Sequence, residues 1–353
     1  MLQDRSFIGK NYIGGQWVEA ASKDTFVSIN PSHITRIIGK FARSEKVDID
    51  YAVESAKNSL HTWQQKSRIQ RSEYLDNFAQ IIKANHEKLS ILISDEAGKP
   101  INEARADVTE GLHMAQYIFG RSRMPYGDVI PSEILEKDSY MLRKPKGVIA
   151  VITPWNFPFA IPMWLICSAI AEGNTVVFKP SEDTPAVAEY ILHFFEQAGL
   201  PPGVLNLVQG LGEEAGWPLV QHPDVDVVAF TGSAQVGSQI RQECAKSPYK
   251  LAICEMGGKN AVIVLNDANI DLAVNTAVLS AFKTSGQRCT SASRLIVHNN
   301  LLSRFTKQFI DTAKQLRIGD PIEETTFMGP LINKDGFDKV KYYNNLTKEE
   351  SSK

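Results

Sequence analysis

Cys289 stands apart from the other three cysteines of the chain. It lies in KTSGQRCTSAS (283–293), directly after Arg288 and among small or hydroxyl side chains. A packed cysteine usually sits among aliphatic residues as a small hydrophobe, whereas a thiol in this polar, glycine-led setting is placed for nucleophilic chemistry once ionised. Two further residues are framed for chemistry. Asn156, in TPWNFP (153–158), is an amide held between aromatic rings and prolines, and such a group either finds partners or meets a substrate oxygen. Glu255, in EMGGKN (255–260), precedes two glycines, so its carboxylate can come close to a ligand. The structural alternatives are a core thiol for Cys289 and a loop carboxylate capping backbone N–H groups for Glu255. A cysteine hydrolase would need a histidine base, and none of the seven histidines falls in a motif near Cys289.

The elements that must position these residues are legible as alternating apolar runs and helical periods. GVIAVITP, NTVVFKP, GVLNLVQG, VDVVAFTG and KLAICEMGG read as short strands, separated by the helical stretches FAIPMWLICSAIAEG, TPAVAEYILHFFEQAG, EEAGWPLVQH and AQVGSQIRQECAK. Repeated βα units of this length predict a doubly wound α/β fold around a parallel sheet, which binds ligands beyond the carboxyl ends of its strands. TPWNFP, KPSE (179–182), QGLGEEAG (209–216), FTGSAQVG (230–237) and EMGGKN lie at those ends. The common GxGxxG fingerprint is missing. Gly210, Gly212 and Gly216 form only a near match, equally readable as a glycine-rich turn. GSAQVG (232–237) follows a strand and opens a helix, where free N–H groups favour an anion. Glu182 ends the second strand, about where dinucleotide folds carry a ribose-binding carboxylate. Each alone reads more readily as solvated loop; together they favour a dinucleotide.

Upstream, YIGGQW reads as a hairpin and INPSHITRIIGKF as strand. Three helical stretches follow from Val47 to about Gly120, with Asp48 or Asp50 as N-cap of the first and Gly98-Lys99-Pro100 ending the second. GDVIPSEILEKDSYMLRKPKG (127–147) reads as a projecting strand pair. After Gly258 a second α/β region is expected: NAVIVL, a helix through NIDLAVNTAVLSAFKTSG, then SRLIVH and a last helix LLSRFTKQFIDTAKQL. The predicted division is 1–126 and 147–257 for nucleotide binding, 127–146 as an oligomerisation-like β segment, and 258–353 as an incomplete catalytic domain.

At 353 residues with a net charge of −2, and with basic residues interleaved among acidic ones, the chain has no nucleic-acid-binding signature. Four cysteines and no CxxC pair argue against a disulfide framework or a metal site, and favour a cytoplasmic location. The apolar run 147–173 is broken by Pro154, Asn156, Pro158 and Pro162, so it reads as strand, turn and buried helix rather than a membrane span.

In this order and spacing PWNFP, VVFKPSE, FTGSAQVG, EMGGKN and GQRC resemble the aldehyde dehydrogenase superfamily, from about Tyr12 onward. The resemblance implies Cys289 as nucleophile, Glu255 as general base and Asn156 as oxyanion-binding amide. It implies a cofactor site of Thr153, Pro154, Trp155, Lys179, Ser181, Glu182, Gly212, Gly232, Ser233 and Gly237, with Lys179 and Glu182 on the adenosine ribose and 232–237 beside the pyrophosphate. NAD is the expected cofactor, NADP the other candidate, and a small aldehyde, leaning to an aliphatic semialdehyde, the substrate. A homo-oligomer is implied for a full-length form. Two departures stand out: Trp164 is followed by Leu165 where relatives often have Lys, and the E-x-F-G-P motif is missing although MGPLIN (328–333) is present. The expectation is a C-terminally truncated chain, and the competing reading a non-catalytic remnant that binds nucleotide or a partner chain.

Overall fold

The computed structural model describes residues 7–351. Five short strands come first: β1 (Phe7–Gly9), β2 (Asn11–Ile13), β3 (Gln16–Val18), β4 (Thr25–Ile29) and β5 (Ile37–Ala42). The YIGGQW hairpin is present. Tyr12 faces Trp17 across β2 and β3, and Gly14 and Gly15 both take positive φ, as a two-residue hairpin turn of this hand requires. INPSHITRIIGKF is strand at Ile29, the end of β4, and again from Ile37; residues 30–36 form turns in which the Asn30 side chain accepts from the Ser32 and His33 amides.

Three long helices follow: α1 (Lys46–Gln64), α2 (Arg68–Ala97) and α3 (Ile101–Arg121). The N-cap of α1 is Glu45, not Asp48 or Asp50. Asp48 sits three residues inside, where its carboxylate accepts the Glu45 N–H at 3.0 Å and the Ala21 N–H at 2.9 Å. The cap therefore lies one turn earlier than the apolar period suggests. Strands β6 (Gly127–Ile130) and β7 (Ser139–Leu142) pair antiparallel as a two-stranded sheet of their own, with Val129, Tyr140 and Met141 exposed.

The central alternation is β8 (Val148–Ile152), α4 (Ala160–Ala171), β9 (Thr175–Lys179), α5 (Pro185–Gln197), β10 (Leu205–Leu207), α6 (Trp217–Gln221), β11 (Val227–Gly232), α7 (Ala234–Cys244) and β12 (Leu251–Met256). A π turn at Gly212–Gly216 leads into α6, which is thus shorter than the helical stretch EEAGWPLVQH. The sheet order is β12-β11-β8-β9-β10-β2-β3, with the first five strands parallel and the β2–β3 hairpin added antiparallel at one edge. Alternate strand residues feed two cores. Ile149, Val151, Val176, Phe178, Val227 and Ala229 pack with helices α2 to α5 on one face. Val148, Ala150, Val177, Val228 and Phe230 pack with α1, α6 and α7 on the other. This is the doubly wound α/β arrangement. The chain runs outward from β8 through β9 to β10, then returns to β11 on the other side of β8, so the strand order reverses between β8 and β11.

Beyond it, β13 (Asn260–Val264), α8 (Ile270–Phe282), β14 (Ala292–Val297) and α9 (Asn299–Lys314) form a second α/β unit. Its two parallel strands and helices share a small core around Val264, Val274, Ala277 and Phe305. α10 (Lys334–Ser351) ends the described chain. α8 stops at Phe282, four residues short of the expected Gly286, because Thr284 and Ser285 turn left-handed (φ 53° and 54°). No helix of the described residues is long and apolar enough to cross a membrane; the run 147–173 divides into β8, a loop and α4.

Candidate active site

The reversal of strand order places the carboxyl ends of β8 and β11 around a crevice, where open α/β sheets bind ligands. Thr153, Pro154 and Trp155 leave β8, Lys179 ends β9, and Gly232 with Ser233 leave β11. All of these line one cavity of about 1090 Å³, together with Ser181, Glu182 and Gly212. Ser233 caps α7, its hydroxyl accepting the Val236 N–H at 3.2 Å. Lys179, 2% exposed, donates to Glu182 Oε2 at 2.9 Å. Burial favours the protonated form of Glu182, but Lys179 and the backbone N–H groups of Glu182 and Gly212 outweigh it and hold the pKa below the usual carboxylate range.

Gly237 is placed elsewhere. It does not line the cavity; a Cβ there would lie 2.5 Å from Met256 Sδ, so its role in the fold is the close packing of α7 on β12. Residues the sequence did not single out complete the wall, among them Trp217, Val220, Val236 and Ile240, an apolar slot between α6 and α7. Their signal is weak in sequence, because apolar residues on short helices read as core.

The three residues framed for chemistry lie on segments that touch. Asn156 Nδ2 donates to Gln287 O at 2.8 Å, two residues before Cys289. The amide has therefore found one partner; its Oδ1 is buried with none among the described residues, and its second N–H is not used by that bond. Asn260 Nδ2 donates to Cys289 O at 2.7 Å and Ser291 O at 3.2 Å, tying EMGGKN to the cysteine segment. Cys289 is exposed, while Cys167 and Cys244 are buried and Cys254 is half-buried. Burial pushes the thiol pKa up at Cys167, Cys244 and Cys254, which leaves them poor nucleophiles. Glu255 is exposed at the end of β12, in register with Thr231 of β11. A second cavity, of about 480 Å³, is lined by Phe157, Trp164, Lys283, Arg288, Glu110 and Phe327 among others. Lys99, Glu103 and Asp107, also not singled out from sequence, reach the same two loops from α3 and its entry.

The sequence model of the aldehyde dehydrogenase family matches residues 17–353. The chain belongs to the aldehyde dehydrogenase family. It is 38% identical over 344 residues to an alpha-ketoglutaric semialdehyde dehydrogenase of Bacillus subtilis (strain 168), covering 97% of this chain and 70% of that protein. A 1-pyrroline-5-carboxylate dehydrogenase of Geobacillus kaustophilus (strain HTA426) is 37% identical, with 98% and 68% covered. Among solved structures, a betaine aldehyde dehydrogenase of Staphylococcus aureus in complex with NAD+ superposes with a TM-score of 0.93 at 33% identity, covering 97% of this chain and 68% of that one. An NAD-dependent aldehyde dehydrogenase of Sinorhizobium meliloti gives the same figures. In this aldehyde dehydrogenase chain the cavity at the strand ends suits a dinucleotide: it pairs an apolar slot for a flat base with the polar Lys179–Glu182 edge and the N-terminus of α7.

Proposed function

We propose that the chain carries out NAD-dependent oxidation of an aldehyde to its carboxylic acid, with Cys289 as nucleophile, Asn156 as oxyanion donor and Glu255 as general base. The observation that carries this reading is the junction of three loops: Asn156 bonds to Gln287 O, and Asn260 bonds to Cys289 O, beside the crevice at the strand-order reversal. In the proposed division, residues 1–126 with 147–257 bind nucleotide, 127–146 is the oligomerisation-like segment of a homo-oligomer, and 258–353 bears the nucleophile.

The Cys289 thiolate attacks the aldehyde carbon, and the electron pair of the C=O bond moves to oxygen. The second N–H of Asn156 and the Cys289 backbone N–H would hold that oxyanion; one such donor is worth about 2.7–4 kcal/mol. NAD, when bound, supplies the hydride acceptor that takes the thiohemiacetal to a thioester. Trp217, Val236 and Ile240 would hold its base, Lys179 and Glu182 the adenosine ribose, and Gly232 with Ser233 the pyrophosphate. Thr153, Pro154, Trp155, Ser181 and Gly212 would complete the lining. Glu255 then takes a proton from water, whose oxygen attacks the thioester carbon; the C–S bond breaks and the acid leaves.

Among aldehydes we favour an aliphatic semialdehyde. The support is the 38% identity to a semialdehyde dehydrogenase and Lys283 in the wall of the second cavity. NADH formation with a panel of semialdehydes and plain aliphatic aldehydes tests the reading. Cys289→Ala should abolish turnover while nucleotide affinity stays within about threefold, because the sulfur does covalent work and other strands hold the nucleotide. Substantial NADH from the alanine variant would overturn the assignment.

A further inference from the structure

Lys99, in the turn that enters α3, and Glu103 and Asp107, four apart on the first turns of that helix, bring three charged side chains to one side. All three are buried, at 1%, 7% and 1% exposure. Lone buried charges are costly, and each of these is matched. Lys99 Nζ donates to Asp107 Oδ2 at 2.8 Å and to Asn156 O at 3.0 Å. Asp107 Oδ1 accepts the Ala160 N–H at 2.7 Å. Glu103 Oε1 accepts the Thr284 N–H at 3.0 Å, and its Oε2 accepts from the Thr284 hydroxyl at 2.5 Å and from Arg288 Nη2. Arg288 Nε donates in turn to Thr284 Oγ1 at 2.7 Å.

Glu103, Thr284 and Arg288 thus close a triangle over the loop that delivers Cys289. That loop contains two consecutive non-glycine residues in the left-handed region, Thr284 and Ser285. Left-handed backbone at such residues persists only where the surroundings over-determine it. Glu103 supplies that constraint at Thr284, and the Ser285 hydroxyl adds a bond to Gly329 O at 2.8 Å. Lys99, at the entry of the same helix, holds the partner loop through Asn156 O.

Resting on the reading of Cys289 and Asn156 given above, we infer that Glu103 is a positioning residue: through Thr284 and Arg288 it sets the Cys289 backbone N–H against the Asn156 amide, so that the two oxyanion donors converge. A charge cluster serving only packing would affect stability without regard to which reaction Cys289 undergoes.

Two reactions of the cysteine separate these roles. Alkylation by iodoacetamide requires only the thiolate and displaces iodide. Acylation by p-nitrophenyl acetate passes through an oxyanion: the Cys289 sulfur bonds to the acetyl carbon and p-nitrophenolate leaves. Both are followed by site-resolved mass spectrometry on the full chain. Glu103→Gln should slow acylation about tenfold or more, with alkylation held within about threefold. Thr284→Val should reproduce that split and Thr284→Ser should restore the wild-type ratio, which decides the matter even where the glutamine variant fails to fold. Equal loss in both reactions, or no loss of acylation in Glu103→Gln and Thr284→Val, would overturn the inference. Wild-type protein that alkylates at Cys289 but does not acylate there would overturn the underlying reading of the site, and the inference with it.

Discussion

At the scale of single residues, the Lys179–Glu182 pair makes a claim about cofactor choice. Lys179 is almost wholly buried and already bonded to the Glu182 carboxylate at 2.9 Å, so the cavity edge presents a neutralised cation and the open side of an anion. A ribose 2′-hydroxyl can donate to that carboxylate, whereas the 2′-phosphate of NADP would meet like charge. Glu182→Ser removes the anion and releases Lys179. The ratio of NADP to NAD affinity, measured by calorimetric titration, should rise about tenfold, corresponding to about 1.4 kcal/mol. An unchanged ratio would show that this carboxylate does not decide the preference.

At the scale of elements, α2, α5 and the β4–β5 region meet at a buried carboxylate. Glu96, fully buried near the end of α2, accepts the Ala186 and Val187 N–H groups at the start of α5 at 2.9 and 3.0 Å, and the Ser28 hydroxyl at 3.1 Å. Burial pushes its pKa up to about 8, against the lowering effect of those donors. A folded-state pKa raised above the unfolded value gives stability that is complete at low pH and lost as pH rises toward the folded pKa. Glu189, pushed by burial to about 7, acts in the same direction. The denaturation midpoint should therefore fall between about pH 5 and 8, and Glu96→Gln should flatten that fall by up to about 5 kcal/mol, each pKa unit being worth about 1.4. A variant with the wild-type slope would mean that the helix terminus keeps Glu96 ionised. Much else at this scale was legible in sequence. The period of apolar residues located the central strands and helices, because each must bury one face or both. It misplaced two features set by side-chain contacts: the end of α8, where Glu103, far away in sequence, holds Thr284 left-handed, and the α1 cap, where Asp48 reaches back three residues to Glu45. The motifs marked Cys289, Asn156 and Glu255 as candidates, and the polar residues Lys179 and Glu182 that line the first cavity. The Lys99–Glu103–Asp107 cluster was missed because Lys99 reads as part of a turn between helices, and Glu103 and Asp107, four apart on a helix, ordinarily read as a solvated face.

At the scale of the molecule, the two halves are unequally covered. The central sheet is packed on both faces, with Val151, Val177 and Val228 fully buried. The β13–β14 pair is packed on one side only: Ile263 and Ile296 remain 65% and 52% exposed. Open strand edges with apolar faces favour self-association. Amides of β8, β9 and β11 should exchange with the global unfolding of the sheet, and those of β13 and β14 about 100-fold faster or more, through local opening. Uniformly slow exchange from 260 to 297 in a monomer would contradict this picture.

In the proposed reaction catalysis is covalent: Cys289 would carry the acyl group and Glu255 would release it. An amide cannot take a proton from water, so Glu255→Gln should trap the thioester after the first turnover. The most direct measurement is site-resolved mass spectrometry of Glu255→Gln after incubation with NAD and a semialdehyde. An acyl adduct on Cys289 is expected, with one equivalent of NADH released at most. Steady turnover at the wild-type rate, or an adduct on Cys254 with Cys289 unmodified, would contradict it.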